Sequence, residues 1–173
     1  MTKTIKLLAF LSLISLVFIG CDSTGKLCGR TVRGLRLCVS TNTLSLHVNA
    51  PILIEFAFSN NSKHSISFWQ SGFFPNTLID LSDPRRKPVK LTPEGVRLRK
   101  TFSPGGERDQ NFSVTLKPGQ RYRIETFDLR RMFEMKADNA YFLTITYEER
   151  QQDGWQGRIT SNEIRFKVES SGQ

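Results

Sequence analysis

A series of short runs in this chain alternates apolar and polar residues with period two, punctuated by turn-forming Gly, Pro and Asn. Residues 34–39, 65–69, 77–81, 89–91, 111–116, 121–125, 141–147 and 163–168 read as strands. Residues 52–58 are apolar at nearly every position and read as a central strand, bounded by Pro51 and Asn60-Asn61. Turns are predicted at Asp83-Pro84, Pro93-Glu94-Gly95, Pro104-Gly105-Gly106, Lys117-Pro118-Gly119 and Asp153-Gly154. Each strand has one apolar face. A single sheet would leave those faces in water, so two sheets must pack against each other. The expected fold is an all-β, two-sheet sandwich of about seven to nine strands, with one helical turn at 129–135. In 141–147, Tyr141, Leu143, Ile145 and Tyr147 share the face expected to enter the core.

The N-terminus carries a different signal. Lys3 and Lys6 precede an apolar run at 7–19, followed by Gly20 and Cys21. The run is too short to span a bilayer core, which takes about 20 apolar residues. Phe18-Ile19-Gly20-Cys21 resembles the lipobox of bacterial lipoproteins, in which the chain is cut before the cysteine and the cysteine is acylated. The resemblance implies a signal peptide at 1–20, a lipid anchor on Cys21 and a place in the cell envelope. Cleaved secretion without a lipid is the competing reading. Asp22 leans toward the outer face of the inner membrane rather than the outer membrane. Residues 21–33 are read as the lipidated N-terminus and a short tether, and 34–170 as one domain.

Removing residues 1–20 takes away two lysines and no acidic residue, so the net charge falls from +9 to +7. Basic runs lie at Arg85-Arg86-Lys87, at Arg97, Arg99 and Lys100, and at Arg130-Arg131. Such a surface draws anionic lipid headgroups or acidic glycans, and it also fits solvated loops. No recognition element for nucleic acid is present, so none is expected as a partner. With Cys21 acylated, Cys28 and Cys38 remain. They either pair, closing a loop of about ten residues worth roughly 2–3 kcal/mol, or stay as free thiols. Neither His47 nor His64 has a ligand-like neighbour, so no metal and no cofactor is expected.

Asp138-Asn139-Ala140-Tyr141 resembles the approach to the tyrosine corner of immunoglobulin-like domains, where the tyrosine hydroxyl bonds back to upstream backbone. An ordinary core tyrosine is the alternative. Gly34-Leu35-Arg36-Leu37, Asn49-Ala50-Pro51-Ile52 and 58–62, then 116–119, Phe127-Asp128-Leu129, 138–147 and Trp155-Gln156-Gly157, resemble in order a family of bacterial exported immunoglobulin-like domains. The likeness covers most of 32–169. It implies an immunoglobulin-like sandwich and a role as an accessory or envelope module, and it carries no activity.

Enzyme chemistry finds little support. Residues 20–27 nearly spell a phosphate-binding loop, but Leu27 stands where a hydroxyl would hold magnesium. Ser23-Thr24-Gly25-Lys26 spells S-x-x-K without its partner motifs. Glu148-Glu149-Arg150 reads as a solvated strand end. No catalytic residue is assigned, and the protein is expected not to be an enzyme. Aromatic loops are the better lead. Phe68-Trp69 and Phe73-Phe74 flank a turn, and some of them must enter the core. Trp155 either covers the end of the sandwich or is presented outward. Phe73, Phe74, Trp155, Arg85 and Arg86 are therefore the candidate binding residues. The expected function is a membrane-anchored, non-catalytic module that binds an envelope protein or acidic glycan. The alternative is a hydrolase inhibitor acting through the loop 103–109.

Overall fold

The computed structural model describes residues 27–41, 45–47, 50–70, 76–102, 112–150 and 153–170. Residues 1–20, read above as a signal peptide, and Cys21 lie outside them. Among the described residues there are eleven strands: β1 (Leu27–Cys28), β2 (Leu35–Thr41), β3 (Ser45–His47), β4 (Leu53–Asn60), β5 (Ile66–Gln70), β6 (Thr77–Ser82), β7 (Phe112–Leu116), β8 (Arg121–Asp128), β9 (Asn139–Glu149), β10 (Gly157–Thr160) and β11 (Ile164–Glu169). The three strands that match no expected segment, β1, β3 and β10, are two to four residues long. Such lengths are too short to show a period.

One sheet has the order β1-β2-β4-β8, and the apolar run 52–58 supplies its interior strand β4. The other is built on β9, the longest strand. β6 pairs along one edge of β9, and the opposite edge is shared by β11 and then β10. Between those two, Ser161 keeps the edge bonded. Its N–H donates to Ile145 O at 2.8 Å, and its hydroxyl accepts from the Ile145 N–H at 3.1 Å. β3 adds in parallel to β11, whereas β2 lies in the first sheet, so the chain crosses between layers after Thr41. β5 and β7 form a small third pair. The architecture is an all-β, immunoglobulin-like sandwich.

The inward faces follow the alternation. Leu35, Leu37 and Val39 of β2, Ile54, Phe56 and Phe58 of β4, and Tyr141, Leu143, Ile145 and Tyr147 of β9 are all buried. Phe58 packs edge-to-face on Phe68 and Tyr147, with ring centres 4.6 and 4.7 Å away. The Tyr141 hydroxyl accepts the Lys136 N–H at 2.7 Å and donates to Lys136 O at 3.3 Å. The tyrosine-corner geometry is present. Its turn is made by Asp138, at φ +57°, rather than by Ala140.

Four expectations are corrected. Residues 27–33 are folded onto the domain instead of forming a tether. Leu27 pairs with Val39, Gly29 N–H donates to Leu37 O, and Arg36 Nε holds Gly29 O at 3.0 Å. Residues 93–95 begin a helix, α1 (Pro93–Lys100), rather than making a simple turn. Thr92 caps it by accepting the Gly95 N–H at 2.9 Å, Pro93 opens it, Glu94 sits in its first turn, and Arg97, Arg99 and Lys100 fill its last. Residues 89–91 form no strand: the Val89 N–H donates to Leu81 O at 2.9 Å beside the Ser82–Pro88 bridge, and Leu91 makes an isolated bridge to Phe133. The helical turn expected at 129–135 is a shorter 3-10 turn, Leu129–Arg131, capped by Asp128.

Candidate functional site

Strand direction places the basic segments together. β8 ends at Asp128, β9 begins at Asn139, β6 ends at Ser82, and β4 begins at Leu53 opposite Asp128. All of these termini therefore share one end of the sandwich. Two segments cross that end, 83–100 and 128–138. They are stitched to each other by Glu134 N–H to Lys90 O (2.9 Å), Thr92 N–H to Met132 O (3.0 Å) and the Leu91–Phe133 bridge. Together they hold ten lysines and arginines against five acidic residues, a surplus of five.

Most of these cations have partners. Lys90 pairs with Glu134 at 2.8 Å, and Arg131 and Arg97 both reach Glu94. Arg99 meets Asp80 at 3.2 Å, and Arg130 meets Asp128 at 3.1 Å. The hydrogen bond from Arg131 holds the Glu94 carboxyl below its ordinary range, outweighing desolvation. Among the described residues, Arg85, Lys87, Lys100 and Lys136 are exposed and have no acidic partner. A cleft of about 390 Å³ opens between the two segments, lined among others by Asp83, Val89, Lys90, Glu134, Lys136 and Asn139. Its chemistry is charge pairing and amide hydrogen bonding. The nearby Tyr141 hydroxyl is already committed to Lys136.

The candidate residues are dispersed. Arg85 is exposed at the Asp83–Lys87 turn, with its N–H bound to Asp83 Oδ1. Arg86, at φ +62°, folds back over the outer face of the β9 sheet. Its guanidinium lies 3.9 Å above the Phe142 ring and makes a two-pronged pair with Glu163. The hydrogen bonds to Glu163 hold its pKa above the ordinary guanidinium value. Arg165 approaches the same ring at 5.7 Å. Trp155 stands at the opposite end and is only 6% exposed. Its ring packs on Tyr147, and its Nε1–H donates to Val32 O at 3.2 Å. Trp155 therefore covers that end of the core instead of being presented outward, because an indole placed there buries its apolar body and still satisfies its N–H. Phe73, Phe74 and the loop 103–109 lie outside the described residues. Phe68 is core, and Trp69 hands its Nε1–H to Asp153 O.

Glu149 overturns the solvated-end reading of 148–150. It is 1% exposed and accepts hydrogen bonds from Asn76 Nδ2 and from the Arg150 N–H. Tyr147 Oη links the group onward to Trp69 O at 2.8 Å. Period two carried one step past Tyr147 was the available signal, since Tyr147 and Glu149 lie on the same face. Phe142 was also missed as a stacking platform, because only the fold brings Arg86 over it.

The sulfurs of Cys28 and Cys38 are 2.12 Å apart, bridging directly opposed residues of β1 and β2. Among the described residues no group of His, Cys, Asp and Glu could hold a metal ion, and no helix is long and apolar enough to cross a membrane. No protein-family model matches the chain, and no curated protein sequence matches it.

Proposed function

We propose that this chain is a lipid-anchored, non-catalytic module of the cell envelope that works by binding an acidic envelope component. An acidic glycan and the acidic face of another envelope protein are the ligand classes that fit its charge. The observation that carries the reading is the Cys28–Cys38 bridge seven residues after the lipobox-like Cys21. Disulfides persist in oxidising compartments, so the bridge agrees with the export that the N-terminal 20 residues suggest. The binding half rests on Arg85, Lys87, Lys100 and Lys136, which are exposed and have no acidic partner among the described residues.

The test is the mass of the purified N-terminus. The expected product begins at Cys21 and carries fatty acyl chains, and Cys21→Ser abolishes both the acylation and the cut after Gly20. A bare Cys21 thiol, or residues 1–20 still attached, defeats the proposal.

A further inference from the structure

We infer that the cation-rich end of the sandwich docks on the anionic headgroup layer of the bilayer that holds the chain. The inference rests on the anchored reading above and names the first acidic component that this end meets. Charge alone does not single it out. Lys63, Lys117, Arg121 and Arg158 stand at the opposite end, where β4 and β9 finish and β8 and β10 begin. Two further observations do.

The first is where the chain enters the fold. β1 is antiparallel to β2, with Leu27 opposite Val39, so the polypeptide arrives from the Thr41 end of the sheet. That is the end at which β4 starts, Thr41 being opposite Ile54. Leu27 is six residue steps from Cys21. Fully extended they reach at most about 20 Å, shorter than the sandwich strands plus their loops allow for inversion. A lipid on Cys21 therefore keeps this end, and not the other, against the membrane.

The second is apolar. The two large hydrophobic side chains most exposed among the described residues are Leu53, at 36%, and Val96, at 43%. Leu53 is the first residue of β4 and pairs with Asp128. Val96 lies on α1, whose neighbouring Gly95 packs against Met132. Both belong to the same end as Arg85, Lys87, Lys100 and Lys136. Exposed apolar side chains set among cations suit the headgroup boundary, where cations meet lipid phosphates and the apolar tips enter the interface. A soluble acidic glycan would use the cations and leave Leu53 and Val96 unexplained. Docked this way, the end capped by Trp155 faces outward for any partner.

Vesicle co-sedimentation of the chain from residue 21 onward, carrying Cys21→Ser, isolates the surface from the lipid and from the apolar run at 7–19. Pelleting is expected with vesicles containing phosphatidylglycerol and not with phosphatidylcholine alone. It should weaken with added salt. Combining Arg85→Glu, Lys87→Glu and Lys100→Glu should lower the affinity by about tenfold or more, whereas Lys63→Glu, Lys117→Glu and Arg158→Glu together should change it by less than about threefold. Leu53→Ser with Val96→Ser should weaken pelleting on its own. Thermal unfolding of each variant checks that it folds. Equal losses from both charge sets, no pelleting, or pelleting that Leu53→Ser with Val96→Ser leaves unchanged overturns the inference. A bare Cys21 with end-specific pelleting would remove the anchor and leave the docking surface standing.

Discussion

Tyr141 and Lys136 close the turn between the two sheets with a reciprocal pair of hydrogen bonds, hydroxyl to N–H at 2.7 Å and hydroxyl to carbonyl at 3.3 Å. The four residues between them include Asp138 in the left-handed region, so the hydroxyl holds a backbone bend that the chain would not otherwise keep. Removing that oxygen leaves the Lys136 N–H without its partner. Tyr141→Phe is expected to cost about 1–2 kcal/mol in urea unfolding, with an unchanged denaturant slope. An unfolding midpoint equal to that of the parent chain would show the corner to be dispensable.

The Cys28–Cys38 bridge joins strand neighbours ten residues apart and holds β1 on the sheet. Cys28→Ala with Cys38→Ala should lower stability by roughly 2–3 kcal/mol. Reducing agent should shift the melting temperature of the parent protein and leave that of the double variant alone. Equal shifts in both would place the effect elsewhere.

Asp128 supplies the acid sensitivity. Burial pushes its carboxyl up, but this is outweighed by hydrogen bonds from the Arg130 side chain and from the N–H groups of Arg130 and Ile52, and by the Arg130 charge. Its pKa therefore lies below the ordinary value of 3.8. A carboxyl whose folded pKa is depressed binds protons more readily in the unfolded chain. Its stabilisation is thus complete above the ordinary carboxyl range and is lost as pH falls below 3.8 through the lower folded value. Asp128→Asn keeps a capping oxygen and should flatten the stability profile in that acid window, while Asp128→Ala should also cost roughly 1–2 kcal/mol at neutral pH. An unchanged acid slope in the asparagine variant would exclude this group as its source.

Gly95 offers a test of direction. In an exposed helix Gly→Ala stabilises by up to about 1 kcal/mol. Here a Cβ would stand 2.1 Å from the Met132 carbonyl oxygen. The helix must then move off the 3-10 turn, so Gly95→Ala is expected to destabilise by about 1–3 kcal/mol. A higher melting temperature would refute the close approach of α1 to that turn.

Much of the sandwich could be read from alternation. The runs at 34–39 and 141–147 became β2 and β9, the second with its expected face inward, and the apolar run at 52–58 became the interior strand β4. Period two is a local property, set where successive side chains leave the backbone on opposite sides. α1 was overlooked although Thr92-Pro93-Glu94 carries the cap, the proline and the first-turn acid. Its apolar face is too narrow to show a helical period, and its contact with the core is made by Gly95, which has no side chain to signal it.

What the sequence determined by itself is the alternation, the turns, the paired-cysteine option and the lipobox-like N-terminus, since each depends on residues close together along the chain. Only the tertiary structure decided that Trp155 is a lid on the core, that Glu149 is buried with Asn76, that Arg86 lies on Phe142, and that 83–100 and 128–138 meet at the end where the chain enters. Those outcomes depend on which strand termini share an end of the sandwich. Strand order and crossing between sheets set that, through contacts between residues tens of positions apart.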